Sequence, residues 1–181
     1  MAHGKTNGLN LLGFRGVCCF GDAITSEPVE ASFPTLLDNP APVLLTCPRE
    51  TVVAEKFEAL VKLGIANTRM KDFHDLKTLA SFFSFARPEL SEATRRTFER
   101  RKTPLPPDAL PTALTADFYN DATKQKQWDA FVSKTKLYIE PITFQDVTVC
   151  IEGFIVPALR ASTAEHPEVL LWNPGGLWKH I

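Results

Sequence analysis

At 181 residues, 44% hydrophobic and 23% charged, the chain has the length of one domain, or of part of a larger one, and the composition of a packed globular protein. A formal net charge of -1 excludes a global affinity for polyanions, so any recognition of nucleic acid would need a local basic patch. Apolar runs such as Pro42-Val43-Leu44-Leu45 are far shorter than the ~20 residues of a membrane span, and the N-terminus lacks the apolar stretch of a signal peptide, so a cytoplasmic protein with no membrane partner is expected.

In chain order, residues 1–10 are polar and read as a fraying start. Residues 11–24 predict a short strand leading to a turn at Gly21-Asp22. A stretch punctuated by Pro28, Pro34, Pro40 and Pro42 follows, holding one strand over Val43–Cys47 that Pro48 ends. Helical spacing then takes over. Val53, Phe57, Leu60 and Val61 predict a helix from Glu50 to Leu63, with Gly64 at the left-handed cap position. Asn67 or Thr68 can cap a second helix to about Phe85, with Met70, Phe73, Leu76, Leu79 and Phe83 turned inward. A third helix is expected over Glu89–Arg101, before a stiff connector containing Pro104, Pro106, Pro107 and Pro111. Asp121–Thr135 carries Trp128, Phe131 and Val132 on one side of a further helix. Thr143 with Asp146 resembles a capping box for a last helix from Phe144 toward Ala161, which Pro157 should kink or shorten. Trp172 and Trp178 flank a turn at Asn173-Pro174-Gly175-Gly176, where they either pin a tail or offer a stacking platform for a base.

The composition changes near Pro48, which divides the chain into a strand-bearing piece, residues 1–47, and a helical array, residues 48–181. Strands this few cannot bury a sheet face alone, so a partner sheet is expected before them. Cys18, Cys19, Cys47 and Cys150 show no C-x-x-C spacing and are expected to be reduced thiols.

The densest polar run is Arg69-Met70-Lys71-Asp72-Phe73-His74-Asp75. On a helix its charged residues border an apolar face, and Lys71 and Asp75 stand one turn apart. Lys56 interrupts the apolar stripe of the preceding helix, and a lysine there either snorkels or meets a carboxylate. The short Gly64–Asn67 link makes the two helices neighbours, so Lys56 can converge on Asp72 and Asp75. Two readings stay open: a buried structural ion pair, or a site in which the lysine binds triphosphate while a carboxylate handles a proton or a metal. His74 is an acid–base group or a helix-surface residue. Arg95, Arg96, Arg100 and Arg101 form either a phosphate-binding patch for RNA or a solvated face balanced by Glu89, Glu92 and Glu99.

The run Cys47-Pro48-Arg49-Glu50-Thr51-Val52-Val53-Ala54-Glu55-Lys56-Phe57-Glu58-Ala59-Leu60, then Leu63-Gly64, then Asn67 through Leu76, resembles the AbiEii/AbiGii nucleotidyl transferase toxin family of type IV toxin–antitoxin and abortive-infection systems. The likeness extends over roughly residues 12–160, taking in Phe20–Ile24, Pro34–Asp38, Thr97–Arg101 and Trp128–Phe131. It implies an α+β, mainly α chain: a remnant of a polymerase β-like nucleotidyltransferase sheet in residues 1–47 and a helical C-terminal domain in 48–181. It also implies transfer of a nucleoside monophosphate from an NTP, with Mg²⁺, to an RNA such as tRNA, and a cognate antitoxin as partner. By the same resemblance Lys56, Asp72 and Asp75 are the catalytic set, and Arg69 and Lys71 bind phosphate.

The departures are equally specific. Such enzymes hold their metal ions with a Gly-Ser motif followed by Asp-x-Asp. This chain contains neither a Gly-Ser dipeptide nor two acidic residues at i, i+2, and Val17 stands about where a third family carboxylate is expected. Cys47 and His74 fall where the family implies an aromatic. The expectation is therefore an N-terminally truncated member, without a metal site and inactive alone. The alternatives are a non-catalytic antitoxin- or RNA-binding module, or a decayed remnant.

Overall fold

The computed structural model describes residues 29–32, 43–106, 108–135, 142–163 and 168–180. The strand expected over 11–24, and Val17, Cys18 and Cys19 with it, lie outside the described residues. The chain divides into two compact units, Met1–Cys47 and Pro48–Ile181.

In the first unit, β1 (Val29–Ser32) pairs antiparallel with β2 (Val43–Thr46), with Val29 opposite Thr46 and Ser32 opposite Val43. β2 is the expected strand. β1 was hidden by its four-residue length and by Pro28 and Pro34 on either side, which together leave too little sequence for a period to show. Cys47 is disulfide-bonded, which corrects the expectation of four reduced thiols, whereas Cys150 is a free thiol.

The second unit is mainly helical. α1 (Arg49–Leu63) buries Val53, Phe57 and Leu60, carries Glu50 in its first turn and Lys62 in its last, and ends at Gly64 with φ 49°. That sense of φ is costly for a side chain carrying a Cβ and free for glycine. After a 3₁₀ turn over Gly64–Ala66, α2 (Met70–Phe82) begins. The Asn67 side chain accepts a hydrogen bond from the Arg69 backbone N–H at 2.8 Å, which fixes the entry to α2 from two positions before its cap residue.

α2 stops three residues sooner than its apolar spacing suggests. Phe83 is extended, and Phe85–Ala86 form a two-residue strand, β3. Helical periodicity overran because the buried Phe85 belongs to a sheet: β3 pairs with β4 (Leu170–Trp172), and β4 with β5 (Trp178–His180), all antiparallel. The β4–β5 turn uses Gly175 at φ 68°. Trp172 and Trp178 face each other across this hairpin, and their indole N–H groups donate to the carbonyls of Ala80 (2.7 Å) and Phe154 (3.1 Å). The two tryptophans therefore pin the tail, as the first of the two readings held.

α3 (Arg87–Arg101) has Pro88 in its first turn and closes on Lys102 in the left-handed region. A 3₁₀ turn at Thr112–Leu114 and the single turn α4 (Ala116–Tyr119), neither of which the sequence suggested, lead to α5 (Ala122–Thr135). The Asp121 carboxylate caps α5 by accepting from the N–H groups of Thr123 and Lys124. α6 (Phe144–Ala161) starts on the expected capping box: Thr143 Oγ1 accepts from the Asp146 N–H at 3.1 Å and donates to its carboxylate at 2.6 Å. α6 is not shortened at Pro157. One lost backbone hydrogen bond is outweighed by an apolar face in which Ile151, Phe154, Ile155 and Leu159 are fully buried. α1 packs on α3, and both α2 and α3 pack on α6, with Phe73, Phe118 and Phe144 of α2, α4 and α6 in mutual ring contact and Trp128 of α5 stacked on Phe144. The described chain is thus α+β and mainly α. No helix among the described residues is long and apolar enough to cross a membrane.

Candidate active site

Lys56 sits on the buried stripe of α1 because its neighbours at i−3 and i+4, Val53 and Leu60, are core residues. Its ammonium must find anions there, and α2 supplies two. Lys56 Nζ donates to Asp72 Oδ1 at 2.9 Å and to Asp75 Oδ2 at 2.7 Å. The two carboxylates, three apart on α2, share one face, and their side chains are only 4% and 10% exposed. Lys71 Nζ donates to the same Asp75 Oδ2 at 2.6 Å, and Arg69 Nε lies 2.8 Å from Asp72 Oδ2. That last contact is an ion pair without hydrogen-bond alignment, so Asp72 Oδ2 is buried with no hydrogen-bond partner. The structure thus brings Lys56, Asp72, Asp75, Arg69 and Lys71 into one cluster of three cations and two anions.

The cluster has an inside and an outside. Lys56 is 14% exposed, whereas the side chains of Arg69 and Lys71 are 59% and 62% exposed. Burial works against the Lys56 ammonium, but the hydrogen bonds and charges of Asp75 and Asp72 outweigh it and raise its pKa above the ordinary lysine value. Burial also works against the Asp75 carboxylate. His74, Lys56 and Lys71 together overcome it and hold Asp75 well below the usual carboxylate range. Both groups are therefore charged near neutrality, and Asp75 is a weak proton acceptor.

His74 is not a surface residue. Its side chain is 17% exposed, with Nδ1 3.8 Å from Asp75 Oδ1 and its ring tilted against Phe131 at 5.7 Å. The α3 arginines are matched by carboxylates. Arg95 pairs with Glu92 and Glu99, Arg96 with Glu92, Arg100 with Glu55, and Arg101 with both Glu55 and Glu58. The hydrogen bond from Arg95 leads the causes that lower the Glu92 carboxyl to about 2.

The sequence reading missed a cleft of about 490 Å³ on the outer side of the cluster, lined by Thr68, Arg69, Met70, Lys71 and Asp72 and, from α5, by Gln127, Ala130, Phe131 and Lys134. One signal for this wall was present. Lys124 stands in the apolar stripe of α5 four residues before Trp128, as Lys56 does in α1, and it is buried with Nζ donating to the Asn67 carbonyl at 2.8 Å. That bond ties α5 to the turn that opens α2. Among the described residues, no group of three or more His, Cys, Asp or Glu side chains could hold a metal ion.

The family model for the nucleotidyl transferase AbiEii toxin of type IV toxin–antitoxin systems matches residues 18–149, a span that contains every residue of this cluster and cleft. No curated protein and no solved structure matches the chain in the same comparisons.

Proposed function

The chain belongs to the nucleotidyl transferase AbiEii toxin family of type IV toxin–antitoxin systems, and from that premise we propose that the Lys56–Asp72–Asp75 cluster is the phosphate-handling part of a site that transfers a nucleoside monophosphate from an NTP to an RNA such as tRNA. The observation that carries the reading is the double hydrogen bond of a part-buried lysine to two buried carboxylates, with two further cations facing out beside it. The cluster carries one more cation than anions, and Arg69 and Lys71 border an open cleft, which is what a polyphosphate would meet.

In this reading Lys56 neutralises the triphosphate, and Arg69 and Lys71 orient it. Asp75, held ionised, keeps Lys56 and Lys71 in position until substrate arrives. Asp72, which lines the cleft, completes the site, its buried Oδ2 ion-paired with Arg69. Residues 1–47 are read as residual strands of the nucleotidyltransferase domain and 48–181 as its helical C-terminal domain. The setting is cytoplasmic, in abortive infection and phage defence, with a cognate antitoxin as regulator. The α3 arginines, if they approach RNA, must first exchange their glutamate partners for phosphates.

A divalent metal, Mg²⁺ in the family reading, does not fit these residues. Asp72 faces Lys56 and Arg69, and Asp75 faces Lys56, Lys71 and His74, so a dication would displace cations already hydrogen-bonded to both carboxylates. The Gly-Ser and Asp-x-Asp pattern that would hold one is not in the sequence.

The test is nucleotide transfer with purified protein, Mg²⁺, total tRNA and each labelled NTP in turn. The expected result is no incorporation by this chain alone. Joined behind a segment carrying Gly-Ser and Asp-x-Asp, it should incorporate label, and Lys56→Ala or Asp72→Ala should abolish that. Activity of the chain alone that is sensitive to both substitutions would overturn its inactivity and keep the site. A joined enzyme indifferent to both would overturn the site.

A further inference from the structure

Outside the ion-pair cluster, the cleft has a second wall that phosphate binding leaves unused. α5 contributes Gln127, Ala130, Phe131 and Lys134, at the i, i+3, i+4 and i+7 positions of one helix face. Three features of this wall suit an uncharged aromatic group next to an anion. Phe131 is half-buried, backed by Trp128 at 5.6 Å and by His74 at 5.7 Å, so its ring is held in place while it lines the cleft. The Gln127 side-chain oxygen is buried with no hydrogen-bond partner among the described residues, a state that costs free energy until a donor reaches it. Lys134 is exposed at the end of the same face, with no ion-pair partner among the described residues. Across the cleft stand Arg69 and Lys71, exposed and cationic.

We infer that this α5 wall binds the nucleoside half of the nucleotide whose phosphates rest on Arg69 and Lys71, with Phe131 stacking on the base and Gln127 accepting a hydrogen bond from a base amine or a ribose hydroxyl. The inference rests on the function proposed above and goes beyond it: base preference is set by α5, by residues that hold neither phosphate nor the Lys56 cluster. A ring of this kind stacks on every base, so Phe131 supplies affinity and Gln127 supplies discrimination. The volume is adequate, since small-molecule sites commonly occupy about 300–1,000 Å³.

The experiment compares binding of inorganic tripolyphosphate with binding of ATP, GTP, CTP and UTP to the full chain by titration calorimetry. At least one NTP should bind about tenfold or more tightly than tripolyphosphate. Phe131→Leu, which keeps apolar packing on Trp128 and His74 but removes the ring, should weaken NTP binding by roughly five- to a hundredfold and leave tripolyphosphate unchanged. Gln127→Ala should narrow the spread among the four NTPs. Arg69→Ala should weaken both kinds of probe. If NTPs and tripolyphosphate bind alike, and Phe131→Leu and Gln127→Ala change neither while Arg69→Ala weakens both, the α5 inference is overturned and the phosphate reading stands. If neither probe binds the unsubstituted chain, both fall. Unfolding monitored on each variant separates loss of the fold from loss of contact, and a Phe131→Leu protein that stays folded and keeps full NTP affinity refutes the stacking role by itself.

Discussion

Replacing Lys56 with methionine keeps the length of the side chain and removes its charge. The change leaves Asp72 and Asp75, both nearly buried, without the hydrogen bonds of 2.9 and 2.7 Å that Lys56 supplies. Breaking a buried pair by deleting one partner costs about 3–5 kcal/mol where the stranded charge has no other partner. Here Arg69 still faces Asp72 and Lys71 still holds Asp75, and both are largely solvated, so they recover part of the loss. The expected destabilisation is about 2–4 kcal/mol, which for a chain of this size lowers Tm by roughly 5–15 °C. Urea unfolding followed by tryptophan fluorescence reads it directly, because Trp128 and Trp172 are buried. Adding Asp75→Asn to Lys56→Met should cost less than the two single changes together, since the second removes an anion that the first has stranded. A loss below about 0.5 kcal/mol, or strict additivity of the pair, would refute the claim that the cluster is coupled and desolvated.

Asp75 also makes stability depend on acid. Its folded pKa lies below its unfolded value, so the unfolded chain binds the proton more readily, and the stabilisation, full above the unfolded value near 3.8, is lost as pH falls through the folded one. Unfolding midpoints measured from pH 6 down to pH 2 should fall more steeply for the unsubstituted chain than for Asp75→Asn. Glu58→Gln removes the anion that holds Arg101 at 2.9 Å and accepts from the Thr103 hydroxyl, and because Glu58 is 1% exposed it should cost about 2–3 kcal/mol in chemical unfolding. Thr143→Ala deletes the cap of α6 and should cost about 1 kcal/mol in the same assay, with Thr143→Asn close to neutral.

Much of the helical framework is legible because its stabilising features are local. Gly64 ends α1, Thr143 with Asp146 starts α6, and apolar residues at helical spacing mark the faces between. The convergence of Lys56 with Asp72 and Asp75 is legible for a related reason: a charged residue inside an apolar stripe must find a partner, and a short link limits where that partner can be. What escapes is set by distance in sequence. β3 is strand only because β4 pairs with it across more than eighty positions, and no property of Phe85 or Ala86 announces that. The α5 wall of the cleft escapes likewise, since Gln127, Phe131 and Lys134 look like an ordinary amphipathic helix until Arg69 and Lys71 stand opposite. The pairing of Arg100 and Arg101 with Glu55 and Glu58 is equally remote, and it answers from α1 a charge count that α3 alone left open.

The carbonyl of Ala80 receives two donors from the hairpin, the Trp172 indole and the Gly175 amide, at 2.7 and 3.1 Å. α2 carries Asp72 and Asp75 within a few turns of that carbonyl, so the helix that presents the anions is anchored at its far end by residues synthesised some ninety positions later. Those two hydrogen bonds hold the C-terminal turn of α2 to the β4–β5 hairpin, so the helix that carries Asp72 and Asp75 near its start is fastened at its end by residues remote in sequence.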